Sequence, residues 1–232
     1  MGKLLNSSVK KRSDEWYTQA PLVHLIKEYL KLPDKIWCPC DSDKSNFTKI
    51  LKPAKHTTDD YFKHNFKGYA VVTNPAFSTI IDFYKLLREQ GVKFAIIAPQ
   101  TLLARPVVAK DIIKGEVKAV LPTNSIFDRP DGSEHKMNVF ILTNLEMRKD
   151  YDYPKSNIQV EPYQIKGSKY YCFNRTQTFR DSGFKRGWIP VTGIIKTKLN
   201  DFKIIDFMSV VYTLEGQEKF SRYLVEKKEN KK

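Results

Sequence analysis

Residues 19–143 alternate short β-branched runs with stretches of helical periodicity, a pattern that a parallel sheet covered by helices satisfies and few other folds do. Phe94-Ala95-Ile96-Ile97-Ala98, ending at Pro99, predicts a fully buried strand. Residues 19–31 place Leu22, Leu25, Ile26, Tyr29 and Leu30 on one helical face, with Pro21 in the first turn. The same reasoning predicts strands over 35–38, 69–73, 117–121 and 138–143, and helices over 45–51, 79–90 and 102–114. After about Tyr151 helical periodicity fades. Short β-like runs at 158–160, 170–173 and 203–206 alternate with basic loops, and a last helix is expected over 214–226. The expected organisation is a flexible stretch 1–13, an α/β domain 14–150, a β-rich extension 151–226 and a basic tail 227–232.

Charge narrows the partners. Forty Lys+Arg oppose 26 Asp+Glu, a net +14. The excess is densest in the C-terminal third, and such a field favours nucleic acid over an acidic protein. No apolar run reaches membrane-spanning length, and the N-terminal residues lack a signal-peptide core. Three cysteines, two of them in Cys38-Pro39-Cys40, do not form a disulfide framework, so a reducing, cytoplasmic setting is expected. The four histidines do not cluster in sequence, and no second Cys or His pair stands at zinc-ligand spacing, so no metal is expected.

The junction Thr73-Asn74-Pro75-Ala76-Phe77-Ser78 carries the chemistry. An apolar strand stops there in an amide, a proline and an aromatic before a helix begins. In open α/β sheets ligands bind at the carboxyl ends of the strands. An exocyclic amino group conjugated to a ring is a poor nucleophile. The Asn74 side-chain oxygen and the Pro75 carbonyl can accept its two hydrogens and draw the nitrogen toward tetrahedral geometry as positive charge develops. Phe77 can stack on a flipped base. The same residues also suit a plain strand–turn–helix, with Pro75 as breaker, Ser78 as helix cap and Phe77 in the core.

Flanking segments add weight. Asp14-Glu15-Trp16-Tyr17-Thr18-Gln19 precedes the first helix, Cys38-Pro39-Cys40-Asp41-Ser42-Asp43-Lys44-Ser45-Asn46-Phe47 follows the first buried strand, and Asp59-Asp60-Tyr61-Phe62 lies upstream of the Asn74 strand. Together with Thr73–Ser78, in this order, they resemble the EcoRI-type adenine-specific DNA methyltransferase family over roughly residues 14–145. Gly187-Trp188-Ile189-Pro190-Val191-Thr192 looks like a further piece of that pattern. The resemblance implies a Rossmann-like S-adenosylmethionine methyltransferase fold with a C-terminal β-rich extension. It implies S-adenosylmethionine as cofactor, with Tyr17 and Thr18 at its methionine end, Asp41 on the methionine ammonium, Ser45 and Asn46 lining the same loop and Asp60 accepting from its adenine amino group. It implies Asn74, Pro75 and Phe77 as the catalytic set. Asp41 also suits a solvated turn, and Asp60 an N-cap for the residues after it.

Two departures from the pattern bear on activity. Ala76 stands where the family has a second proline, which removes a restraint on the preceding residue. No glycine lies between Gly2 and Gly68, so a glycine-rich cofactor loop is absent. DNA contacts are expected from Lys169, Arg175, Arg180, Lys185 and Arg186, among interleaved aromatics, as phosphate and base-edge contacts. The turn Asp128-Arg129-Pro130-Asp131-Gly132-Ser133 is expected at the mouth of the site. The resulting expectation is methylation of a flipped adenine in double-stranded DNA, with a restriction nuclease as a possible partner. The alternatives are a catalytically silent nucleic-acid-binding relative, or a methyltransferase acting on RNA or on protein glutamine.

Overall fold

The computed structural model describes residues 16–153, 162–174, 176–179, 187–197, 201–212, 215–216 and 218–229. Its elements run β1 (Tyr17–Thr18), α1 (Ala20–Tyr29), β2 (Ile36–Cys38), α2 (Asn46–Leu51), β3 (Lys55–His56), β4 (Ala70–Thr73), α3 (Ile80–Glu89), β5 (Lys93–Pro99), α4 (Pro106–Ile113), β6 (Lys118–Asp128) and β7 (Glu134–Thr143). The C-terminal part continues with β8 (Tyr163–Gln164), β9 (Tyr171–Asn174), β10 (Thr176–Phe179), β11 (Gly187–Pro190), α5 (Val191–Thr197), β12 (Phe202–Tyr212) and β13 (Glu218–Lys227). Single 3-10 turns occupy Tyr61–Lys63 and Gln100–Ala104.

Seven strands form one mixed sheet in the order β1-β6-β7-β5-β4-β2-β3. The strands β3, β2, β4 and β5 are parallel neighbours, and β7, β6 and β1 join through antiparallel pairings. The architecture is α/β and compatible with a Rossmann-like fold. From β2 the chain winds outward to β3, whereas from β4 it winds the other way to β5, so the strand order reverses between β2 and β4. In open α/β sheets ligands bind at such a reversal, outside the carboxyl ends of the two strands.

Period-two alternation explains why both faces are covered. Along β5, Phe94, Ile96 and Ala98 join one core with Phe83, Tyr84 and Leu87 of α3 and Val108, Ala109 and Ile112 of α4. Ala95 and Ile97 point the other way, into a second core with Leu22, Val23 and Ile26 of α1 and Phe47 of α2. Each fully buried aliphatic or aromatic side chain here contributes about 1.5–3 kcal/mol.

Three expectations need correction. The helix expected over 102–114 is split: Arg105 is extended ahead of Pro106, which disfavours helical backbone before it, so a 3-10 turn ends there and α4 begins anew. The two short strands expected over 117–121 and 138–143 are the ends of a long hairpin, β6–β7, whose turn is closed by Arg129 and Ser133. It bends at a bulge between Val120 and Thr123, where Leu121 takes a left-handed φ of 52°. The helix expected over 214–226 is instead β13. Tyr223 and Val225 are buried while Leu224 and Glu226 are only partly covered, and pairing with β12 and β9 outweighs local helical spacing. The expected strand at 158–160 and the stretch 1–13 lie outside the described residues.

The C-terminal elements make a four-stranded antiparallel sheet, β12-β13-β9-β8, and a two-stranded one, β10-β11. They share a core with the first sheet: Phe173, Ile189, Val191, Ile194, Phe207, Tyr223 and Val225 belong to the same cluster as Phe94 and Phe140. Among the described residues no helix is long and apolar enough to cross a membrane.

Candidate functional site

Three segments converge at the carboxyl ends of β2 and β4. After β2 the chain turns through Pro39 and Cys40 to Asp41, whose N–H donates to the Thr57 carbonyl at 3.0 Å. Asp41 is only 7% exposed. Thr73, the last residue of β4, donates its hydroxyl to Asp41 Oδ2 at 2.8 Å and so ties the two strand ends together. Burial pushes the Asp41 carboxyl up to about 6, against the opposing pull of the Thr73 and Ser45 hydroxyls and of nearby His56. A carboxylate held at that cost is poised to gain from a cation placed beside it.

Ser45 caps α2, its hydroxyl accepting from Thr48 N at 3.1 Å. The next residue, Asn46, donates Nδ2 to the Thr18 carbonyl at 2.8 Å and ties α2 to the third segment, β1. Thr18 is 6% exposed, and its hydroxyl oxygen is buried with no hydrogen-bond partner among the described residues. Tyr17, on the opposite face of the strand, is 52% exposed. The β1 pair is held by Asp128 and Phe127 of β6, and Gln19 Nε2 donates to Asp128 Oδ1 at 2.7 Å. The turn expected at the mouth of the site is therefore the tip of the β6–β7 hairpin, whose end carries β1.

Asn74 follows β4 directly. Its Nδ2 donates to the Trp16 carbonyl at 2.9 Å, whereas its Oδ1 is buried without a partner among the described residues. A buried carbonyl oxygen without a partner costs about 1–3 kcal/mol, a cost that any donor reaching it, water included, would relieve. Pro75 is buried and Phe77 half-buried, the latter packed against both cores. The turn does without a second proline. The Ala76 carbonyl accepts from Thr79 N at 3.2 Å and from the Thr79 hydroxyl at 3.3 Å, and that hydroxyl also bonds the Tyr61 phenol. Hydrogen bonds thus hold the loop that a second proline would have stiffened covalently.

Asp60 lies beside this loop through Tyr61, whose ring packs on Phe83 at 4.5 Å. Its Oδ1 caps the 3-10 turn by accepting from Phe62 N at 3.1 Å, and its Oδ2 faces Lys63 at 3.3 Å. Of the sequence-identified residues, Asn46 bonds the Thr18 carbonyl directly, Asp41 bonds Thr73, the residue before Asn74, and Asn74 bonds Trp16, two residues before Thr18; Pro75 and Phe77 follow in the same loop. Asp60 makes no direct bond to them.

Sequence reasoning included Trp16 and Thr73 within the motifs but gave neither a role. A hydroxyl residue closing an otherwise apolar strand was the available signal for Thr73; Trp16 acts through its main chain, which no side-chain pattern marks. Burial also raises the Cys38 thiol well above its ordinary range, with Asp41 adding to the effect, which leaves it a packing residue and not a nucleophile. Among the described residues no group of three or more His, Cys, Asp or Glu is placed to hold a metal ion.

Of the expected DNA contacts, Lys169 lies on the loop before β9 and pairs with Glu226 at 2.8 Å, both ends at least partly exposed. Arg175, Arg180, Lys185 and Arg186 lie outside the described residues. Comparison of the chain with protein-family models and with curated protein sequences gives no match.

Proposed function

We propose that the chain is an S-adenosylmethionine-dependent methyltransferase acting on the exocyclic amino group of adenine in DNA. The observation that carries this reading is the unpartnered, buried Oδ1 of Asn74, at the carboxyl end of β4 beside the strand-order reversal. An acceptor there favours a substrate that presents N–H groups over one that presents carbonyl oxygens or ring nitrogens. The Pro75 carbonyl is the second acceptor and Phe77 the stacking surface for a base taken out of the duplex.

The residues present suit the cofactor. Asp41 offers a buried carboxylate for a methionine ammonium, Thr18 an unpartnered hydroxyl, and Ser45 and Asn46 a capped helix start beside them. Bound there, S-adenosylmethionine supplies an electrophilic methyl group on a sulfonium sulfur. Asn74 and Pro75 orient the amino nitrogen by accepting its hydrogens, and the proton lost on N-methylation passes to solvent. The buried position of the Asn74 Oδ1 strengthens its bond relative to water.

Radiolabelled S-adenosylmethionine and unmethylated genomic DNA test the reading. The wild type is expected to label DNA in N6-methyladenine, and Asn74→Ala to lose at least about a hundredfold in rate while still binding DNA. Absence of label with the wild type across diverse DNA would rule the proposal out.

A further inference from the structure

We propose that Trp16 is the positioning residue of this site: its main-chain carbonyl fixes the Asn74 amide so that Oδ1, and not Nδ2, faces the substrate. The inference rests on the methyltransferase reading for its catalytic consequence but on geometry alone for the positioning. The Asn74 amide has one donor end and one acceptor end, and a backbone carbonyl can receive only the donor. With Nδ2 committed to the Trp16 oxygen at 2.9 Å, the remaining oxygen has a single orientation. An amide turned the other way would set two carbonyl oxygens against each other and present a donor to an amino group that needs acceptors.

The Trp16 main chain is itself held through its ring. The Arg129 guanidinium lies 4.8 Å from the indole centroid, and the His135 ring is 4.6 Å from it at a 45° tilt. Both residues belong to the tip of the β6–β7 hairpin, and Arg129 Nη2 also reaches His135 Nδ1 at 3.3 Å. A cation over an indole face is worth roughly 0.5–1 kcal/mol when exposed and more when covered. The two-residue β1 pairing that follows Trp16 fixes the same segment from the other side. A distant hairpin therefore sets the rotamer of the acceptor through one indole ring and one main-chain hydrogen bond.

Selective 15N-asparagine labelling makes the contact directly observable, because a hydrogen bond from one of the two inequivalent Asn74 amide protons to Trp16 widens their shift difference and slows their exchange. Trp16→Gly, which frees the main chain, is expected to speed exchange of those protons and collapse their shift difference toward free-asparagine values. Arg129→Ala with His135→Ala, which leaves residue 16 intact, is expected to do the same in smaller degree, and Trp16→Phe to restore the signals. In single-turnover methyl transfer, Trp16→Gly is expected to slow the step roughly tenfold or more, with cofactor affinity changed less than about threefold and Trp16→Phe recovering most of the rate.

Unchanged Asn74 signals in Trp16→Gly and in the double variant would overturn the positioning role. So would altered signals with an unaltered rate in an active enzyme. If the wild type transfers no methyl group to DNA, the methyltransferase reading fails separately, and the amide signals alone decide whether Trp16 holds Asn74.

Discussion

At the scale of single residues, Asp41 shows how a buried carboxylate destabilises the fold that carries it. Its carboxyl titrates near 6 in the folded chain against about 4 unfolded. The folded state therefore holds the proton more tightly, and this group's contribution to stability falls as pH rises from about 4 to about 6, then stays low. The cost of keeping it ionised at neutral pH is about 2–3 kcal/mol. Asp41→Asn, which retains an oxygen for the Thr73 hydroxyl, is expected to raise the melting temperature of the ligand-free protein at pH 7.5 and to weaken S-adenosylmethionine binding. For the wild type, a cationic ligand selects the ionised form, so affinity measured by calorimetry should climb with pH through about 6 and then level off. A variant that is less stable yet binds equally well would remove Asp41 from the site. Asn74 is the companion case: its Oδ1, unpartnered among the described residues, is a cost that a hydrogen-bond donor would offset.

At the scale of elements, α5 shows how closely the C-terminal part is seated. The Thr192 hydroxyl accepts from Ala119 N of β6 at 2.9 Å. A Cβ on Gly193 would stand 2.3 Å from Ile189 Cγ2 and 2.5 Å from Tyr153 Cε1. Gly193→Ala is accordingly expected to cost about 1–3 kcal/mol in urea denaturation, and a change under about 0.5 kcal/mol would contradict that packing. Elements also set what was legible in the sequence. β4, β5, α1 and α3 were readable because burial and period reinforce each other there: β5 alternates between two cores, and α3 puts Ile80, Phe83, Tyr84 and Leu87 on one face. β13 was not, because residues 218–227 carry apolar groups at spacings that suit helix and strand alike, and long-range pairing with β9 and β12 decided between them. The candidate site was legible as far as strand ends mark it, which singled out Asp41 and Asn74. Trp16 was not, since its role passes through a main-chain atom and a hairpin more than a hundred residues away.

At the scale of the whole molecule, the two sheets are one packing unit, because Phe173, Phe207 and Tyr223 share a core with Phe94 and Phe140. The chain's net charge of +14 favours a polyanionic partner such as duplex DNA. Duplex binding should weaken steeply with salt, by roughly a hundredfold or more between 50 and 200 mM, as counterions compete for the phosphates; fluorescence anisotropy over that range measures the slope, and a flat response would deny a phosphate-led interface. On the proposed function, the strand-order reversal, with Asp41 on one side and Asn74 on the other, is a methyl-transfer site for adenine in DNA. Methylation-sensitive sequencing of DNA from cells expressing the chain tests it most directly. N6-methyladenine is expected at a recurring sequence with the wild type and none with Asn74→Ala, whereas equal marking by both chains, or no marking by a folded, DNA-binding wild type, would contradict a methyl-transfer site.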